Sequence, residues 1–145
     1  MDPPTSLPGR REFEEALARM TEDAKRAGQP VSLLIVDIDG FKRVHSTFGH
    51  AEGGAVSDRM LIGIAAGVRP QDFLARLSLD QFAVLLPNTP LSAAGTLAEQ
   101  MLALVVRTFA DSPRHRFVEL PSKRAARADS GLIVSISLRP LHSMR

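Results

Sequence analysis

Two pairs of side chains in this chain have the types and spacing for metal or phosphate chemistry. Asp37 and Asp39 alternate with Ile38 at the end of the apolar segment P-V-S-L-L-I-V-D-I-D. A carboxylate at such a strand end takes a hard cation such as Mg²⁺ when a second acid and substrate phosphates complete the coordination shell. Asp80, in A-R-L-S-L-D-Q-F-A-V-L-L-P, supplies that second acid if its turn lies beside the first segment. The competing reading is an acid that merely ends a strand or fills a turn. The second pair is Arg69 and Asp72 in R-P-Q-D, five residues before the S-L-D-Q-F stretch. A guanidinium makes forked contacts to a phosphate. R-P-x-D is equally a good turn sequence, so the pair has a purely structural reading too.

The elements that must position these groups follow from periodicity. Residues 31–39 form a nearly continuous, β-branched run that reads as a buried central strand. The runs on both sides of Ser78, Leu79, Asp80 and Gln81 read as a hairpin, with those four residues at a turn that has no glycine. Phe13, Leu17, Met20 and Ala24 recur at helical spacing from Arg10 to Gly28, with acids early and bases late, as the helix dipole favours. Short helical turns are expected over Phe41 to Phe48, and helices over about Ala51–Val68 and Leu91–Phe109, with a last strand in G-L-I-V-S-I-S-L. Helices alternating with strands predict an α/β or α+β fold around one sheet.

Composition bounds the function classes. With 145 residues, 44% hydrophobic and 23% charged, the chain is expected to form one globular domain over residues 1–145. A net charge of +2 is too small to argue for a nucleic-acid or membrane surface. The absence of cysteine excludes disulfides and thiolate metal sites. No apolar run reaches the roughly 18 residues a bilayer span needs, and the expectation is a soluble, cytoplasmic protein. Residues 111–130 carry Arg114, Arg116, Lys123, Arg124 and Arg127 among Pro, Ser and Ala. With Phe117 alone to stack among them, this basic loop is expected to be a solvated or partly disordered connection rather than an anion-binding loop.

D-I-D-G-F-K-R-V-H-S-T-F-G-H-A-E-G-G-A-V, followed by R-P-Q-D-F-L-A-R-L-S-L-D-Q-F, resembles the GGDEF domain family, bacterial diguanylate cyclases that condense two GTP into cyclic di-GMP. The opening D-P-P-T-S-L-P-G-R-R is similar to that family's N-terminal motif, retaining Asp2, Thr5, Leu7, Pro8, Arg10 and Arg11 within a segment 1–28 that also holds the first helix. The resemblance implies a central, mostly antiparallel sheet flanked by helices, with the signature hairpin beside the D-x-D strand. It also implies Mg²⁺ at Asp37, the Ile38 carbonyl and Asp80, and a role for position 81 in activating the attacking hydroxyl.

The signature departs from that pattern at the positions that do the chemistry. Gln81 replaces the Glu, and an amide has no basic oxygen of useful pKa. Ser78 and Leu79 replace the two glycines, where a Cβ costs about 1–2 kcal/mol if the backbone is left-handed. The guanine-pairing Asn and Asp of the family read His45 and Gly54 here, and the family's last helix, with its Lys and Arg, has no counterpart after Leu138. The chain is therefore expected to be a degenerate, catalytically inactive GGDEF domain: Ser78, Leu79, Asp80, Gln81 and Phe82 form a degenerate signature, and Asp37, Ile38 and Asp80 a vestigial Mg²⁺ site with no cofactor required. The R-x-x-D spacing resembles the family's inhibitory product site, making Arg69 and Asp72 candidates to bind cyclic di-GMP in a receptor or regulatory role. The alternatives are a protein–protein interaction or homodimerisation domain without nucleotide binding, or a GTP-sensing regulator of an adjacent EAL-type phosphodiesterase. Each assigns the chain a protein partner or a neighbouring signalling domain.

Overall fold

A computed structural model describes residues 7–121 and 124–141. Helix α1 (Arg10–Ala27) starts where the Glu12 carboxylate reaches back to accept a hydrogen bond from the Gly9 N–H at 3.0 Å. Hydrogen bonds from its own N–H and from that of Gly9 hold the Glu12 carboxyl below the usual carboxylate range. The helix ends at Gly28, whose φ of 67° is the left-handed cap that glycine adopts without steric penalty. Asp2 and Thr5 of the N-terminal motif, and Lys123 of the basic segment, lie outside the described residues.

Strand β1 (Val31–Asp39) leads through Gly40 into α2 (Phe41–Phe48) and α3 (His50–Ala66); the hairpin β2 (Phe73–Ser78) and β3 (Gln81–Pro87) follows, then α4 (Leu91–Arg107). The chain then adds β4 (Phe117–Leu120), β5 (Ala125–Ala128) and β6 (Ile133–Pro140). The six strands form one sheet in the order β2-β3-β1-β6-β5-β4, with every neighbouring pair antiparallel. Alternation along the strands sends Leu34, Val36, Ile38, Phe82, Val84 and Val134 to one face, where α2, α3 and α4 cover them. On the other face α1 packs Phe13 and Ala16 on Leu33, Ala75, Ala83 and Leu85. The mixed α+β expectation holds, and no described helix is long and apolar enough to cross a membrane.

The expectation for residues 111–130 does not hold. They contain β4 and β5, which pair residue for residue from Phe117↔Ala128 to Leu120↔Ala125, and β5 continues the sheet onto β6. Ala125, Ala126 and Ala128 are buried, and Ala126 and Ala128 join the core beneath α4. His115 anchors its start: it is 1% exposed, with Nδ1 2.8 Å from Ser130 Oγ and Nε2 2.7 Å from Glu52 Oε2.

Candidate functional site

The strand-end acids and the hairpin come together. Because β1 and β3 are adjacent and antiparallel, Asp37 lies opposite Gln81 in the ladder, and the Ile38 N–H donates to the Asp80 carbonyl at 2.9 Å. Gln81 donates from Nε2 to Asp37 Oδ1 at 2.8 Å, and the Ser78 hydroxyl donates to Asp80 Oδ1 at 2.7 Å. Each of the two carboxylates thus already accepts from an uncharged neighbour. Asp39 stays exposed at the end of β1 and does not join them. Among the described residues no three acidic or histidine side chains converge as a cation cage.

The turn has no left-handed residue. Asn88 is the one described non-glycine residue with positive φ, so Ser78, Leu79 and Asp80 escape the Cβ penalty expected from the loss of two glycines. Instead the ladder slips between Arg76 and Ser78, leaving Leu77 as a bulge, and the Leu79 side chain stands 49% exposed at the tip. The tip is fastened from behind. Ser57 of α3 donates to the Leu79 carbonyl at 2.6 Å and accepts from the Arg76 guanidinium, which also lies over the Phe82 ring at 5.3 Å. Phe82 itself is wholly buried.

Beside this hairpin, His45 is engaged in packing. Its ring sits 4.7 Å from Phe41 and 4.6 Å from His50, and it lies directly over Gly53, where a Cβ would fall 1.9 Å from the imidazole. A side chain at position 53 would require the His45 ring to move. At Gly54 a Cβ would meet nothing within 4 Å, so this position opens onto free space and offers no group to a ligand.

The R-P-Q-D turn is a closed unit. Arg69 meets Asp72 through Nη2 at 2.8 Å and Nε at 3.1 Å and 3.2 Å, while the Arg69 backbone N–H donates to Asp72 Oδ2 at 2.8 Å. Arg69 Nη2 also donates to Thr89 Oγ1 at 2.7 Å, and Thr89 in turn donates to the Pro87 carbonyl. The Asp72 side chain is 1% exposed and that of Arg69 31% exposed. Between this turn and the last turns of α1 lies a cavity of about 490 Å³, whose polar lining includes Arg19, Asp23, Gln71, Asp72 and Asn88. That is within the range of small-ligand sites.

Sequence reasoning did not find Ser57, Arg76 or Thr89. Ser57 sits one position off the Val56, Met60, Ile64 stripe and reads as surface, yet it is fully buried. Its spacing of four from Gly53 is the available signal, since two small residues one turn apart mark a helix face approached closely by its neighbours.

The architecture and the pairing of a strand-end acid with a hairpin signature define an α+β domain whose candidate site lies at the junction of β1 and the β2–β3 turn. This chain belongs to the GGDEF domain family, described as diguanylate cyclase, GGDEF domain, which matches residues 1–122. The diguanylate cyclase DgcP of Pseudomonas aeruginosa is 36% identical over 104 residues, covering 72% of this chain and 16% of that protein. The response regulator PleD of Caulobacter vibrioides is 36% identical over 97 residues, covering 67% of this chain and 21% of that one. The chain thus spans a small part of these relatives' length. Among solved structures, diguanylate cyclase SiaD of Pseudomonas aeruginosa in complex with its activator SiaC aligns with a TM-score of 0.75 at 30% identity, covering 99% of this chain and 50% of that one. The GGDEF domain of DgcB from Caulobacter crescentus in complex with c-di-GMP aligns with a TM-score of 0.75 at 26% identity, covering 97% and 74%.

Proposed function

We propose that this chain is a catalytically inactive GGDEF domain that serves cyclic di-GMP signalling as a regulatory module, with Arg69 as its contact to the dinucleotide. The observation that carries the inactive reading is the Gln81 amide donating to Asp37 Oδ1 at 2.8 Å. A neutral amide satisfies the acid without a cation, and it has no oxygen basic enough to take a proton from an attacking hydroxyl. Mg²⁺ fits this arrangement poorly: the Gln81 amide and the Ser78 hydroxyl each hold one oxygen of the two carboxylates, and the ion would gain one carboxylate fewer than the family signature offers.

The receptor reading is supported by the Arg69 side chain, partly exposed and held by Asp72 and Thr89; the cavity of about 490 Å³ is lined by Asp72 of the same turn and not by Arg69. A pre-ordered guanidinium loses little conformational entropy on binding a phosphate. Asp72 is too enclosed to accept from guanine unless the fork opens, which favours a second reading, an interaction domain without a nucleotide site. Calorimetry with cyclic di-GMP separates the two: heat with the wild type that Arg69→Lys abolishes supports the receptor, and a flat wild-type titration removes it. Incubation with GTP and Mg²⁺ is expected to yield neither pyrophosphate nor cyclic dinucleotide; product from purified protein overturns the inactive reading.

A further inference from the structure

We infer that the outer edge of β4, together with the groove between β4 and α4, is a docking surface for an acidic, extended segment of a partner protein. This inference is independent of both nucleotide readings. The two edges of the sheet are unequal. At β2 the Arg76 N–H is taken by the Pro8 carbonyl at 2.9 Å, so the chain ahead of α1 covers that edge. At the opposite end β4 pairs with β5 alone, and among the described residues no backbone hydrogen bond reaches 117–120 from outside that hairpin. An uncovered edge presents alternate N–H and C=O groups to a further strand.

Beside this edge lies a groove of about 510 Å³. Val106, Phe109 and Phe117 supply its apolar lining, and Arg107, Arg116 and Glu119 its charges. Arg107 and Arg116 are exposed and, among the described residues, neither has an ion-pair partner. On the sheet's other face Val118 is 68% exposed and stands opposite the exposed Arg127. A seventh strand would alternate its side chains between these two faces. One set would meet the phenylalanine-lined groove and its two arginines, the other Val118 and Arg127. Three arginines against one glutamate select an acidic strand and repel a basic one, which is how charge at a sheet edge confers specificity.

The test uses a fluorescein-labelled nine-residue peptide of alternating valine and glutamate, titrated by fluorescence anisotropy, with a lysine-for-glutamate peptide as control. The wild-type chain is expected to bind the acidic probe and not the basic one. The double variant Arg107→Glu/Arg116→Glu, whose changes are both at exposed positions, is expected to bind it roughly tenfold more weakly while keeping its circular dichroism. Hydrogen exchange of the amides of 117–120 should slow when the acidic probe is present. Equal binding of both peptides, no effect of the double variant, or unchanged exchange at 117–120 each overturn the proposal, as does a wild-type chain that fills this edge by dimerising in sedimentation.

Discussion

The β2–β3 turn and the R-P-Q-D turn are both places where a ligand-type side chain has found its partner inside the chain, but the partners differ in charge. Asp37 is met by a neutral amide and Asp80 by a neutral hydroxyl, so one oxygen of each carboxylate at the hairpin end already has a partner. Asp72 is met by a guanidinium through three side-chain contacts and is enclosed almost completely. The first arrangement pairs acids with neutral groups; the second holds one cationic group in place. The proposed function rests on this difference: a neutral partner at the acids of the hairpin, and an ordered arginine at the other turn.

The largest expected effect comes from opening the charged unit. Arg69→Ala leaves an enclosed carboxylate with the Arg69 backbone N–H as its remaining partner, and should cost about 3 kcal/mol, the lower end for a broken buried pair because Arg69 is partly exposed. Urea denaturation measures it. Adding Asp72→Asn in the same chain should recover part of the loss, since a neutral amide needs no countercharge. If the single variant costs less than the ordinary ~1 kcal/mol of one hydrogen bond, the two turns do not differ as argued.

How far the sequence reveals this contrast depends on whether the feature lies along the chain or across it. The buried β1, the helix stripes and the R-x-x-D spacing are periodic or local, so they are legible from residue order. The β4–β5 hairpin is not, because the buried residues of β5 are Ala125 on one face and Ala126 and Ala128 on the other, which carry little hydrophobic or β-branched signal, between arginines that read as solvent-facing. Asp37 and Gln81 are visible individually, but their hydrogen bond is a product of ladder register. The closure of Arg69 on Asp72 depends on the turn's conformation and on Thr89 arriving from the segment between β3 and α4, neither of which spacing alone conveys. Ser57 is hidden for the same reason, since its partner carbonyl belongs to Leu79 in a distant hairpin.

A smaller effect should follow at the hairpin. Gln81→Ala removes one donor from Asp37, which is only partly buried and can turn to water, so the cost is expected to be about 1 kcal/mol. Gln81→Glu sharpens the comparison further. It sets a second carboxylate against Asp37, lowering the Tm in a chelator, and millimolar Mg²⁺ should raise it again by mass action. The wild-type Tm should not respond to Mg²⁺ in the same range; a wild-type rise equal to the variant's would mean that the amide does not block the cation.

Ser78→Ala should have the least consequence of all. The Ser78 hydroxyl reaches Asp80 at 2.7 Å, but the pair is exposed, so water replaces the lost donor and the stability change should stay within about 0.5 kcal/mol. Its value lies in the pairing with Gln81→Glu. If the Ser78 hydroxyl competes with a cation for Asp80, the combined variant should show a larger Mg²⁺-dependent Tm rise than Gln81→Glu alone. Equal rises would place the whole obstruction at Gln81, making a single amide sufficient to separate this hairpin from one that takes a metal.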